Sequence, residues 1–337
     1  MEKTATNYFV LPEQGYEEAM QSTVEPYLAA RRTDGFCQRE EGKRIFYARC
    51  LADSPRGVVV ISHGYTETIE KYLENIFYFL RQGYHVFMPE HCGHGRSYRV
   101  YAGKEDLCLV YVDDYQRYVE DLLLICRMAA REFPELPLFL YGHSMGGGVA
   151  AAAAAQAPEL LSGLILSSPM IRPNSGSVPW VLARLMAGVF CLAGKKGQYL
   201  MGHHPYDGKE QFAESAGGSE ARFRYYKEKR DREPLFQMSG ASYGWTWQTA
   251  RLNRYLQKEA AKRIICPVIV LQAELDTYVS NAEQEKFIEK LNKSGGGNAT
   301  LVRIEGVKHE IFNAETTRAE QYWEEVFSFL GKCVEKG

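Results

Sequence analysis

Ser144 lies in Gly142-His143-Ser144-Met145-Gly146, a Gly-x-Ser-x-Gly pentapeptide with apolar β-type residues before it and an alanine-rich helical run after it. Where a strand turns sharply into a helix, a serine at the turn sits on strained backbone with its hydroxyl in the open. Gly142 and Gly146 let strand and helix approach without collision, and the first N–H groups of the helix face any negative charge that develops nearby. The chemistry implied is nucleophilic: a serine oxygen attacks a carbonyl carbon and forms a covalent intermediate. Pentapeptides with three fixed letters recur by chance. The assignment of Ser144 as nucleophile therefore rests on its strand-before, helix-after context.

A serine hydroxyl needs a base to take its proton and an acid to hold that base in the right tautomer. In parallel sheets such groups sit beyond the carboxyl ends of strands. After the strand-like residues 266–272 the chain reads Ala273-Glu274-Leu275-Asp276, and Asp276 is the acid expected, with Glu274 as its local competitor. After residues 301–305 it reads Gly306-Val307-Lys308-His309-Glu310, which puts His309 in the loop after the last strand and makes it the expected base. Of the other histidines, His85 opens a strand, His203 and His204 fall in an insertion, and His143 belongs to the turn itself. The order Ser144, Asp276, His309 fits a parallel sheet of this kind, whereas other serine-nucleophile folds use different orders. The second oxyanion donor belongs to the loop after the first parallel strand, Ser62-His63-Gly64-Tyr65, where Gly64 lets the backbone turn. The backbone N–H groups of Tyr65 and Met145 are the two donors expected, with His63, Gly64, Gly142, His143 and Gly146 supporting them.

The elements that must hold these residues alternate in type. A helix is expected over 16–31, broken or kinked at Pro26, followed by antiparallel strands at 35–39 and 44–50. From residue 57 the pattern becomes strand 58–62, helix 69–81, strand 84–89, helix 112–133, strand 136–141, helix 145–156 and strand 161–167. Runs such as Val58-Val59-Val60-Ile61 are apolar on both faces, the mark of a strand covered on both sides. Strand-helix alternation with buried strands specifies a mostly parallel sheet with helices on both faces. The alternation stops near Pro169 and resumes at Ile264, with strand 265–271, helix 282–291, strand 299–304 and helix 315–334. This divides the chain into an N-terminal helical extension (1–34), a core (35–169 and 263–337) and an insertion (170–262). The insertion holds three of the four tryptophans and the charge run 227–233, read as a solvated helix face.

With 337 residues and 45% hydrophobic composition the chain has material for a large core, and a net charge of −2 argues against a nucleic-acid binder. The eight cysteines are scattered with no Cys-x-x-Cys pair, which fits a reducing cytoplasm and suggests neither a zinc site nor a redox dithiol. The first residues carry no basic segment followed by an apolar core, so no secretory signal is expected. Residues 180–193 are the most apolar outside the strands but too few to cross a bilayer, which takes about 20 residues. They are expected to touch lipid transiently. His91-Cys92-Gly93-His94 lacks further ligands at a metal-binding spacing and reads as a structural loop.

Together, His63-Gly64-Tyr65-x-Glu67, Gly93-His94-Gly95-Arg96-Ser97, Gly142-His143-Ser144-Met145-Gly146, the Asp276 loop and Gly306-x-x-His309-Glu310 resemble the α/β-hydrolase fold. Within it the resemblance is to the group of monoacylglycerol lipases and bacterial lysophospholipases filed with serine aminopeptidases, and it spans about residues 35–333. Gly240-Ala-Ser-Tyr-Gly-Trp245 resembles the cap of the lysophospholipase branch, while Glu90 and Cys92 stand where the family usually has Asp and Arg. The resemblance implies a helical cap at 170–262 near the carboxyl edge of the sheet and hydrolysis of lipid-like esters, monoacylglycerol or lysophospholipid, without metal or organic cofactor. The same triad hydrolyses peptides and thioesters. An aminopeptidase would need an acidic pocket, for which Glu210, Glu214 and Glu220 are candidates, and a non-catalytic ligand-binding module on the same fold is a further alternative. Oligomeric state is not legible.

Overall fold

The computed structural model describes residues 10–101, 106–176, 178–294 and 299–335, so the N-terminal residues read for a secretory signal lie outside it. Among the described residues ten strands form in chain order: β1 (Arg32–Glu40), β2 (Lys43–Cys50), β3 (Gly57–Ser62), β4 (Tyr84–Pro89), β5 (Leu109–Val110), β6 (Leu138–His143), β7 (Gly163–Ser167), β8 (Gly240–Ala241), β9 (Val268–Ala273) and β10 (Ala299–Ile304). Eight make one sheet in the order β1-β2-β4-β3-β6-β7-β9-β10, and β5 pairs with β8 in a separate ribbon. The β1–β2 and β2–β4 pairs are antiparallel, and every other pair in the large sheet is parallel.

The all-apolar strands follow from this layering. Along β3, Val58 and Val60 enter one core while Val59 and Ile61 enter the other, because successive side chains point to opposite faces. The first core is closed by helices α4 (Gln116–Glu132), α5 (Ser144–Gln156), α8 (Tyr243–Lys258) and α9 (Asn281–Lys293). The second is closed by α3 (Leu73–Arg81), α10 (Thr316–Val334) and the N-terminal segment, which contains α1 (Tyr16–Ala19) and α2 (Glu25–Ala29). Ala150–Ala155 are all buried, so the alanine run is the surface that lets α5 lie close to the sheet.

Several boundaries differ from the sequence reading for local reasons. The helix expected from 112 starts at Gln116, because Leu109–Val110 is drawn into β5 and the Asp114 carboxylate accepts the Gln116 N–H at 3.0 Å. The break in the N-terminal helix is a π-turn at Met20–Val24 rather than Pro26, which sits in the first turn of α2 where a missing N–H costs nothing. Residues Ile69–Tyr72 form a 3₁₀ turn before α3.

After Ser167 the chain leaves the sheet and returns at Val268, in a strand adjacent to β7. The excursion contains α6 (Trp180–Leu192), α7 (Glu220–Arg232) and α8, and Leu252 and Leu256 of α8 join the same core as α5. The charge run in α7 is only partly solvated. Arg230 turns inward, its guanidinium bonding both Glu210 oxygens at 2.7 Å and the carbonyls of Phe236 and Met238. The N-terminal segment threads between α3 and α7. Arg222 bonds Glu74 through two nitrogens at 2.9 and 2.7 Å and the Leu11 carbonyl at 2.8 Å, while Tyr16 donates to the same carboxylate. Both charged side chains are at most 5% exposed, so truncating one leaves the other buried without a counter-ion. Arg222→Ala is expected to lower unfolding free energy by about 3–5 kcal/mol in urea titration. A loss below about 1 kcal/mol would show that this clamp does not hold α7.

Candidate active site

Register brings the site together at the carboxyl edge of the sheet. Ser62 at the end of β3 pairs with Gly142, and His143 pairs with Ser167. The loops after β3, β6 and β7 therefore emerge side by side, where the strand order turns from β4 on one flank of β3 to β6 on the other. Close packing tightens this arrangement. A Cβ on Gly146 would lie 2.2 Å from the Ser62 carbonyl oxygen, and one on Gly142 would lie 2.6 Å from the Gly146 carbonyl oxygen. No side chain fits at either position, so the start of α5 rests directly on the β3 loop.

Among the described residues, the non-glycine positions with positive φ are Thr66, Ser144 and Ser168, at 60°, 52° and 43°. They follow β3, β6 and β7 respectively, Ser144 as the first residue of α5, and such strain collects where a site is over-determined by its surroundings. The sequence singled out Ser144 but gave no sign of the other two. Ser168 Oγ donates to the His309 carbonyl at 2.8 Å, which ties the β7 loop to the loop after β10.

Ser144 Oγ lies 2.8 Å from His309 Nε2, and His309 Nδ1 lies 2.7 Å from Asp276 Oδ2. The other Asp276 oxygen accepts the backbone N–H groups of Tyr278 and Val279 at 2.8 and 3.0 Å, which fixes the carboxylate against rotation. Glu274, the competitor on sequence grounds, is exposed and accepts the Gly306 N–H at 2.8 Å instead. One residue, Leu275, separates them, and the bend at Leu275–Asp276 turns only the second inward. The Tyr278 and His143 rings pack against His309 at 5.1 and 4.9 Å between centroids.

The β3 loop is held by a carboxylate that the sequence reading quoted only within a motif. Glu67 Oε2 accepts the Gly64 N–H and the Tyr72 hydroxyl, both at 2.6 Å, and Lys71 Nζ is 3.0 Å from Oε1. Burial pushes the Glu67 carboxyl up, but Lys71, His143 and the Tyr72 hydrogen bond outweigh it and hold the group down at about 2. Lys71 also pairs with Glu310, the residue after His309. The Glu67–Lys71 spacing of four was the one signal in the sequence for this network.

Four histidines around the loops are buried and neutral. His63 donates from Nδ1 to the Gly64 carbonyl at 2.8 Å and accepts the His91 N–H at Nε2 at 2.9 Å, a pattern only the neutral ring satisfies. His91 and His94, flagged as structural from sequence, pack their rings 4.5 and 5.1 Å from His63. Burial lowers His63, takes His91 well below the usual imidazole range, and brings His94 and His143 to about 3 and 4. The unfolded chain therefore binds more protons than the folded one below about pH 6.5, and stability present above that pH is lost as pH falls. Asp121, raised to about 6 by burial, works the opposite way by one proton. Urea unfolding at pH 7, 6 and 5 is expected to show stability falling as pH drops below about 6.5, by about 1.4 kcal/mol per pH unit for each net proton that the unfolded chain binds in excess. A flat profile would contradict the neutral assignment.

The chain is similar to known proteins in sequence and in fold. A model of the family described as "Serine aminopeptidase, S33" matches residues 53–316. A monoacylglycerol lipase of Mycolicibacterium smegmatis is 38% identical over 42% of this chain and 48% of its own, so the match spans about half of that relative's length. Lysophospholipase L2 of Escherichia coli is 25% identical over 87% of this chain and 88% of its own. The solved structure of a soluble variant of monoglyceride lipase from Saccharomyces cerevisiae covers 90% of this chain and 96% of its own at 19% identity with a TM-score of 0.71, a likeness of fold. On the match across its core, and with this sheet order, the chain has the α/β-hydrolase fold and belongs to the serine aminopeptidase S33 family.

Proposed function

We propose that this protein is a serine hydrolase that cleaves carboxylic esters of single-chain lipids, a monoacylglycerol or a lysophospholipid. The observation that carries the reading is the unbroken hydrogen-bonded series Ser144–His309–Asp276 on a serine held at positive φ. In this reading His309 Nε2 takes the Ser144 proton as Oγ attacks the ester carbonyl, and Asp276 holds the ring and stabilises the imidazolium. The backbone N–H groups of Tyr65 and Met145 stabilise the oxyanion, each worth about 3–4 kcal/mol of barrier. His309 then protonates the leaving alcohol. Water, deprotonated by the same ring, releases the fatty acid and restores the serine. The residues 170–262 act as a cap, and the low exposure of Ser144 and His309 (9% and 5%) supports chemistry away from bulk water.

The lipid reading is favoured over the aminopeptidase one by the acids of the cap. Glu210 is spent on Arg230, Glu220 pairs with Arg224, and Glu214 is exposed, so these three do not form a pocket for a free amine. A panel of monoacylglycerols, lysophospholipids, acyl thioesters and aminoacyl amides tests this directly. Turnover of the amides alone would reject the lipid reading, and folded wild-type protein that a fluorophosphonate fails to label would favour a binding module.

The cap also supports contact with a lipid surface. Val181, Leu182, Leu185, Val189 and Leu192 of α6 are each more than half exposed, and the cations Arg184, Lys195 and Lys196 beside them are exposed too. That pairing of apolar side chains with cations suits an anionic bilayer surface. No helix among the described residues is long and apolar enough to cross a membrane. Co-sedimentation with phosphatidylglycerol-containing vesicles is expected, with the partition constant reduced at least about 30-fold in a Leu185→Glu, Val189→Glu double variant, since each side chain contributes about 1–2 kcal/mol. Equal binding by the double variant would remove α6 from the contact. The eight free cysteines support a reducing, cytoplasmic compartment.

A further inference from the structure

Three charged side chains lie between the loop that follows β3 and the loop that bears His309, and the triad chemistry uses none of them. Lys71 Nζ reaches Glu67 on one side and Glu310 on the other, and the side chains of Glu67, Lys71 and Glu310 are 5%, 13% and 11% exposed. Each carboxylate is in turn committed to a different loop. Glu67 holds the Gly64 N–H and thereby the turn that aims the Tyr65 N–H. Glu310 follows His309, accepts from Asn313 Nδ2 at 2.9 Å, and donates its backbone N–H to the Ala216 carbonyl at 2.9 Å. The Asn313 carbonyl accepts the N–H groups of Gly218 and Ser219, where the chain enters α7.

We propose that Lys71 and Glu310 are positioning residues that lock the oxyanion loop, the base-bearing loop and the entry to α7 into one register, so that donor and base are aligned together. The inference rests on the triad reading given above. A cation shared by two buried carboxylates is specific in a way that packing is not. Moving either loop alone strands a charge in a low-dielectric setting, so the loops move together or not at all. The network carries one net negative charge beside His309, whose other neighbours are Asp276, Ser144 and the rings of His143 and Tyr278. Lys71 itself faces the Tyr226 ring on its remaining side.

Two charge-altering variants pull the chemistry in opposite directions. Lys71→Met removes a positive charge near the imidazolium that forms in the reaction and stabilises it, so the acid limb of the kcat/KM profile moves up by about half to one pH unit. Glu310→Gln, close to isosteric, removes a negative charge and moves the limb down by a similar amount. Both lower kcat about 10- to 100-fold with little change in KM, because a donor misplaced by about 1 Å costs that much. Lys71→Arg restores most of the rate. The experiment is the pH profile of ester hydrolysis by wild type and these three variants, with folding checked by circular dichroism. Acid limbs that coincide with wild type, or a change confined to KM or to headgroup preference, would overturn the proposal and make Lys71 a structural or substrate-contacting group. If Ser144→Ala retains full activity, the triad reading fails first and separately.

Discussion

Ser144→Ala is expected to abolish covalent labelling by a fluorophosphonate and to lower ester turnover by about 10⁴- to 10⁶-fold while leaving the fold intact. The magnitude follows from what is removed. Without Oγ there is no acyl-enzyme, and the residual rate comes only from an oxyanion site and binding, which in serine hydrolases retain about 10³- to 10⁴-fold over water. Stability is expected to change little, because alanine is as strained as serine at φ 52° and the hydroxyl's hydrogen bond is to the ring nitrogen of His309. The measurement is active-site titration with the probe followed by steady-state hydrolysis of a short-chain glycerol ester. Turnover within tenfold of wild type would end the assignment of Ser144 as nucleophile.

The acid is decided by a paired substitution. Asp276→Asn should lower kcat by about 10⁴-fold, because an amide in place of the carboxylate no longer stabilises the imidazolium and presents an N–H that favours the wrong tautomer. The asparagine carbonyl can still accept the N–H groups of Tyr278 and Val279, so the loop keeps its shape and the loss is chemical rather than structural. Glu274→Gln should stay within about twofold of wild type in rate, since that side chain is exposed and bonded to the Gly306 N–H. Kinetics on the two variants under one set of conditions separates them. If the Glu274 variant is the inactive one, the hydrogen bond from His309 to Asp276 is not the working one.

The clamp of Arg222 on Glu74 and the shared Lys71 have a common consequence for how the cap behaves. Helix α7 is fixed at its start by Asn313 and Arg222 and further along by Lys229 and Tyr225, which both reach Glu25. The apolar face of α6 has no such ionic anchor to the core among its exposed residues. Any opening of the proposed cap is therefore expected on its α6 side, with α7 as the fixed side.

The amino-acid sequence by itself determined the layered fold and named the candidate reacting groups that the structure brings together. Runs such as Val58–Ile61 are apolar on both faces, which only a strand between two helical layers can satisfy, and Gly142 and Gly146 around Ser144 are demanded by backbone contacts too close for any Cβ. His309 was named from its place after the last strand, and the structure brings its ring within 2.8 Å of Ser144. Asp276 was preferred to Glu274 as the residue deeper in the loop, where a bend can turn it toward the site, and in the structure it is Asp276 that reaches His309. The inward turn of Arg222 and Arg230 was not legible in a helix read for its charge run, since period and composition say nothing of carboxylate partners 148 and 20 residues away. Glu67, Lys71 and Glu310 show the limit most clearly: local sequence supplied a spacing of four and a neighbour of His309, and only tertiary packing made one buried cation common to both. Local chemistry is written in adjacent residues. Charge pairing across loops is decided by the distances that folding sets.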